Sequence, residues 1–135
     1  MGYTRYWVRT DKKVNRELVD AINAILSDCR NRGIIIKNGW GEGSPIVNED
    51  EGILFNGDAS TGLDHETFYI TNNEQELNNW EFCKTARKPY DYAVRRALEE
   101  AEQLGFVKDV SDDGDNSEII SDADYLVRKG ERSHD

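Results

Sequence analysis

Hydrophobic and polar positions change period several times along the chain, and each change predicts an element. Residues 3–10 (YTRYWVRT) alternate aromatic or β-branched side chains with polar ones, which predicts a strand. The period then lengthens. Val14, Leu18, Ala21, Ile22, Ile25 and Cys29 recur at helical spacing, predicting a helix over 15–32, capped by Asn15 and stopped by Gly33. Ile34-Ile35-Ile36 reads as a short buried strand, and 38–45 (NGWGEGSP) as a glycine-rich loop carrying Trp40. Ile46-Val47, a polar turn at 48–50 and Gly52-Ile53-Leu54-Phe55 predict a hairpin, with Asn56-Gly57 opening another turn. Residues 66–71 (ETFYIT) predict a strand, and 80–83 a shorter one.

The second long helix has the clearest pattern. Tyr90, Ala93, Val94, Ala97, Leu98, Ala101 and Leu104 form one apolar stripe, with Pro89 suited to the first turn and Gly105 ending it. On its wet side Arg95 with Glu99, and Arg96 with Glu100, stand at ion-pair spacing. A strand over 106–110 and a short C-terminal helix over 121–129, capped by Ser121, complete the order. Strands grouped between helices predict an α+β fold: a mostly antiparallel sheet with two main helices on one face. One domain is expected over 1–130, with a frayed tail at 131–135.

Composition narrows the partners. The 135 residues suffice for one ordinary core. Three Trp, six Tyr and four Phe favour folding despite 33% charged residues. A net charge of −10 disfavours coating of nucleic acid and binding to anionic membranes, both of which need basic surface. Cys29 and Cys83 stand far apart with no Cys-x-x-Cys pair, so neither a zinc knuckle nor a redox motif is expected. With no signal peptide and no membrane-length apolar run, the expected location is cytoplasmic.

Candidate chemistry concentrates at 82–91 (FCKTARKPYD), where Lys84, Thr85, Arg87 and Lys88 precede a helix start. Unpaired N–H groups and the positive dipole end favour an anion there. Three cations at that end repel one another unless an anion offsets them. Two sources stay open: the chain's own carboxylates (Asp58, Asp64 or Glu66), or a phosphorylated ligand. Tyr6, Trp7 and Trp40 offer faces on which a base could stack, although aromatics also serve to thicken a small core.

Weaker motifs fall away on inspection. Gly39-Trp40-Gly41-Glu42-Gly43 is followed by Pro45 and a strand rather than a helix, so it is neither a dinucleotide fingerprint nor a P-loop. Residues 109–120 place Gly114 like a calcium-loop glycine, but Ile120 stands where a bidentate Glu is needed. His65 between Asp64 and Glu66 has no second dependable histidine, since His134 lies in the tail. No metal or cofactor is expected.

Gly2-Tyr3-Thr4-Arg5-Tyr6-Trp7, Phe55-Asn56-Gly57-Asp58, Glu66-Thr67-Phe68 and Phe82-Cys83-Lys84-Thr85-Ala86-Arg87-Lys88-Pro89-Tyr90-Asp91 together resemble an uncharacterised family of bacteria and their phages. Its members open Gly-Tyr-Thr-His-Tyr-Trp; Arg5 replaces that histidine here, which suits binding better than proton transfer. The family carries no established activity. By analogy with small acidic phage counter-defence proteins, the expectation is a non-enzymatic binder that sequesters a phosphorylated, nucleotide-derived immune signal in the host cytoplasm, with room for a homo-oligomer. Two rival classes are a nucleotide-cleaving enzyme using Asp58, His65 or Asp91, and an acidic inhibitor of a host defence or nucleic-acid-binding protein.

Overall fold

The computed structural model describes residues 2–114 and 118–133. The order is β1 (Thr4–Arg9), α1 (Arg16–Asn31), β2 (Ile46–Asn48), β3 (Gly52–Phe55), a 3-10 turn at Ala59–Thr61, β4 (Phe68–Ile70), β5 (Trp80–Lys84), α2 (Asp91–Gln103), β6 (Val107–Asp112) and α3 (Asp122–Ser133). The fold is α+β. The strands form two three-stranded sheets, β5-β1-β6 and β2-β3-β4, and every pairing is antiparallel. The expectation of one sheet is therefore corrected.

Short polar bonds replace a ladder between the two sheets. Tyr69 Oη donates to Glu81 across 3.0 Å, and Glu66 N–H donates to the Lys84 carbonyl across 3.1 Å. One core nevertheless serves both sheets. Trp7 on β1 packs on Phe68 of β4 at 5.3 Å between ring centroids, and Phe68 packs on Phe55 of β3 at 5.0 Å. α1 and α2 pack on each other, α1 also meeting β2 and β3 while α2 meets β6. Leu18, Ile22, Ile25, Cys29, Ala97 and Leu98 fill the space between.

The helix limits follow their caps. Asn15 Oδ1 accepts from Leu18 N at 3.0 Å, and Gly33 takes the left-handed conformation (φ 72°) just beyond α1. Ser121 Oγ accepts from Asp124 N at 3.1 Å to start α3. That helix continues to Ser133; residues 134 and 135, the end of the expected tail, lie outside the described residues. No described helix is long and apolar enough to cross a membrane.

Three local expectations are overturned. Residues 34–36 form no strand, because Asp122 Oδ1 accepts the Ile35 N–H (3.0 Å) and Asp122 N donates to the Gly33 carbonyl (3.0 Å). The segment's backbone is spent on α3, and its ladder is reduced to a single bridge between Lys37 and Asn56. β4 is shorter than 66–71, since Glu66 N turns to Lys84 and Thr71 N to the Glu76 carboxylate. On α2 the expected Arg96–Glu100 pair is present (3.4 Å), but the Arg95–Glu99 pair is not: Glu99 also goes to Arg96 (3.0 Å), and Arg95 lies over the Tyr92 ring.

Candidate functional site

The turn from β5 into α2 is built against the start of β1. Ala86 and Arg87 both occupy the left-handed region (φ 54° and 57°), a strained conformation for non-glycine residues. Hydrogen bonds hold it: Thr85 N and Ala86 N donate to the Tyr3 carbonyl (2.9 and 3.3 Å), and Asp91 N donates to the Lys88 carbonyl (2.8 Å). This brings Asp91 to the first position of α2, where its charge faces the positive dipole end. Its carboxylate accepts two bonds from the Arg5 guanidinium, both 2.8 Å, and one from Thr85 Oγ1 at 2.7 Å. All three residues are buried. Burial draws the Arg5 pKa down, but the Asp91 hydrogen bonds and charge outweigh it and leave it raised.

The anion at this helix start is thus Asp91, and the cations ahead of it do not converge. Lys88 Nζ donates to the carbonyls of Gly62 and Asp64, each at 2.8 Å, and desolvation there lowers its pKa. Arg87 lies over the Tyr3 ring, 4.2 Å from its centroid. Lys84 reaches the other way, toward Phe82 on the outer side of the sheet. Thr85 is fully buried on Asp91.

The aromatics are also dispersed. Trp7 is 1% exposed, part of the core, and offers no face to an outside molecule. Tyr6, its neighbour on the strand, stands on the opposite face with its hydroxyl on Asp113 (2.8 Å). Trp40 is 83% exposed in the glycine-rich loop. Of the expected set, only Tyr6 and Lys84 share a surface, which they form with Trp80 and Phe82.

An open cavity lies elsewhere. A cleft of about 470 Å³ separates the C-terminal half of α1 from residues 34–37 and 43–47, with Arg30 and Lys37 at its walls and Leu26, Ile34 and Val47 supplying apolar surface. A second hollow of about 340 Å³ lies between Gly41-Glu42-Gly43 and Asp58-Ala59-Ser60, and shares Lys37 and Gly43 with the first. The loop is fixed by Asn38: its Oδ1 accepts from Trp40 N (2.8 Å) and its carbonyl from Gly41 N (2.9 Å). Gly41 has φ 79°, and a Cβ there would stand 2.6 Å from the Ala59 Cβ, so only glycine lets the loop seat on the 3-10 turn.

Lys37 is half-buried and forms no ion pair within 4 Å among the described residues. Asp58 accepts from Ser60 Oγ (2.7 Å) and Ser60 N (3.1 Å); these bonds, with the Lys37 charge, hold its carboxyl below the usual range. Lys37 and Arg30 escaped the sequence reading. Lys37 directly precedes the glycine-rich loop, a signal that was present, whereas Arg30 reads as an ordinary helix-end cation.

The remaining candidates are committed or inert. Burial pushes the Cys29 thiol up to about 12 and raises Cys83 as well, so neither is a ready thiolate. His65 is exposed, and among the described residues no group of three or more His, Cys, Asp or Glu could hold a metal ion. Of the 109–120 segment, residues 115–117 lie outside the described residues. No protein-family model matches the chain, and no curated protein or solved structure does either.

Proposed function

We propose that the protein is a non-enzymatic binder of a small phosphorylated, nucleotide-derived ligand, held in the cleft beneath the glycine-rich loop. The observation that carries this reading is Lys37: a half-buried cation, without an ion-pair partner among the described residues, in the wall of two adjoining hollows. Volumes of about 470 and 340 Å³ fall within the range of small-molecule sites, roughly 300–1,000 Å³. Lys37 and Arg30 would hold phosphate, and Leu26, Ile34 and Val47 would form the floor. Trp40, on the loop that walls both hollows, would close over a base.

The turn at 84–88, where three cations are close in sequence, does not carry the reading, because Lys88 and Thr85 are engaged inside the protein. The binding role is retained and its residues change. Its place in counter-defence rests on the family resemblance and the analogy to small acidic phage proteins.

Isothermal titration against cyclic dinucleotides and ADP-ribose derivatives tests the proposal. Binding by at least one is expected, and Lys37→Ala should weaken it about 10- to 100-fold, the value of one charge-assisted hydrogen bond. Lys84→Ala should leave it unchanged. Chromatography should return the ligand intact; a cleaved ligand, or no binding at high protein concentration, would refute the reading.

A further inference from the structure

The two hollows that share Lys37 differ in what they can hold. The larger one carries a second cation and apolar surface: Arg30 with Leu26, Ile34, Ile36 and Val47. The smaller one carries acids. Asp58 and Glu42 line it together with Ser60, and its other walls are Gly41, Gly43 and Ala59. None of these offers a ring or a branched apolar side chain, so a base gains no stacking there.

Charge and hydrogen-bond capacity decide the occupant of the smaller hollow. Two carboxylates stand there against the single cation Lys37, so a phosphate inside it is repelled. Ionised acids are acceptors only. Asp58 Oδ1 is filled by Ser60 N (3.1 Å) and Ser60 Oγ (2.7 Å), but Oδ2 has one long bond, from Thr61 Oγ1 at 3.4 Å. Ser60 Oγ spends its proton on Asp58 and presents only lone pairs. Glu42 is exposed and forms no ion pair within 4 Å among the described residues. Such a set is completed by O–H or N–H donors. A metal ion does not fit, since no group of three or more His, Cys, Asp or Glu among the described residues could hold one.

We propose, resting on the binding role stated above, that the smaller hollow is a subsite for an unphosphorylated ribose. The ligand is then a ribonucleotide with a free sugar hydroxyl. Lys37, common to both hollows, marks the place of the phosphate. The base lies on the side of Leu26, Ile34 and Val47, and the sugar lies beyond Lys37, donating to the carboxylates of Asp58 and Glu42. A deoxyribose leaves those acids without their donor. A phosphorylated sugar brings negative charge against them. Selection therefore works by a lost bond on one side and by repulsion on the other.

Calorimetric titration of the full chain with two matched pairs tests this. Cyclic di-AMP is compared with its 2′-deoxy form, in which both sugars lack the hydroxyl, and ADP-ribose with ADP, which lacks the terminal ribose. In a pair that binds, the ribose form should be tighter by about 10- to 100-fold, the value of one hydrogen bond to a charged group. The double variant E42Q/D58N should bring the two members within about threefold of each other. It should hold or raise the affinity for the deoxy form or ADP, because the acids that repel phosphate are gone while Lys37 remains. A merely structural lesion weakens both members alike. If circular dichroism shows the double variant unfolded, Glu42→Gln, on the exposed loop, still has to lower the preference at least about threefold. Equal binding of both members by the unaltered chain, or a preference that survives these variants, would overturn the ribose subsite and leave the binding role standing. Binding by none of the probes would overturn both.

Discussion

Asp91 is the residue on which the turn into α2 depends. It stands at a positive helix end, fully buried, and its two oxygens take three bonds from Arg5 and Thr85. Truncating one member of such a pair leaves a buried charge without its partner. Asp91→Ala should therefore cost about 3–5 kcal/mol in urea unfolding, whereas replacing both members, in R5M/D91L, should cost less. A double variant at least as unstable as D91A would contradict that assignment. The pair also explains Arg5, which serves here as a structural partner of Asp91. The residue scale is where sequence reading was weakest. Tyr6 and Trp7 cannot wall one ligand together, because adjacent strand positions face opposite ways and Trp7 shares the core side with Arg5 and Arg9. Arginines on that side disguised it. Each finds an acid distant in sequence, Asp91 for Arg5 and Glu76 for Arg9, and no local pattern announces such pairings.

At the scale of elements, α3 is attached to the 33–35 segment through Asp122, by its backbone N–H to Gly33 and by its carboxylate to Ile35. Asp122 Oδ1 accepts the Ile35 N–H, while Oδ2 is buried without a hydrogen-bond partner among the described residues. Desolvation raises the Asp122 pKa against the lowering effect of the Ile35 bond, and the Asp58 charge raises it further. An acid with a raised folded value binds more protons folded than unfolded, so its contribution is largest at and below the ordinary value of 3.8. That contribution falls as pH climbs through the raised value. Hydrogen exchange, corrected for intrinsic rates, should show the opening free energy of α3 decreasing across this window, and Asp122→Asn should flatten the trend. Stabilisation of α3 with rising pH would contradict the sign. The same attachment accounts for the missing strand at 34–36: three isoleucines carry β-propensity, but Asp122 captured the backbone. α1, α2 and the β2–β3 hairpin were legible because period, caps and turn residues agreed within each segment.

The whole molecule joins two small sheets through Trp7, Phe68 and Phe55, residues from three strands. Composition points to a small core reinforced by aromatics and the order of elements to an α+β class, and both are present. The division into two sheets was not legible, since it depends on which strand edges meet in space. The candidate site was legible only in kind. Lys84, Arg87 and Lys88 are neighbours in sequence only; Lys37, Arg30 and the loop of Trp40 come together through the packing of α1 on β2. Nuclear magnetic resonance mapping of amide shifts during titration with a cyclic dinucleotide tests the central claim most directly. The largest changes should fall on Lys37, Gly41 and Gly43 and on the Trp40 indole. Changes centred on residues 84–88, or no changes at millimolar ligand, would contradict it.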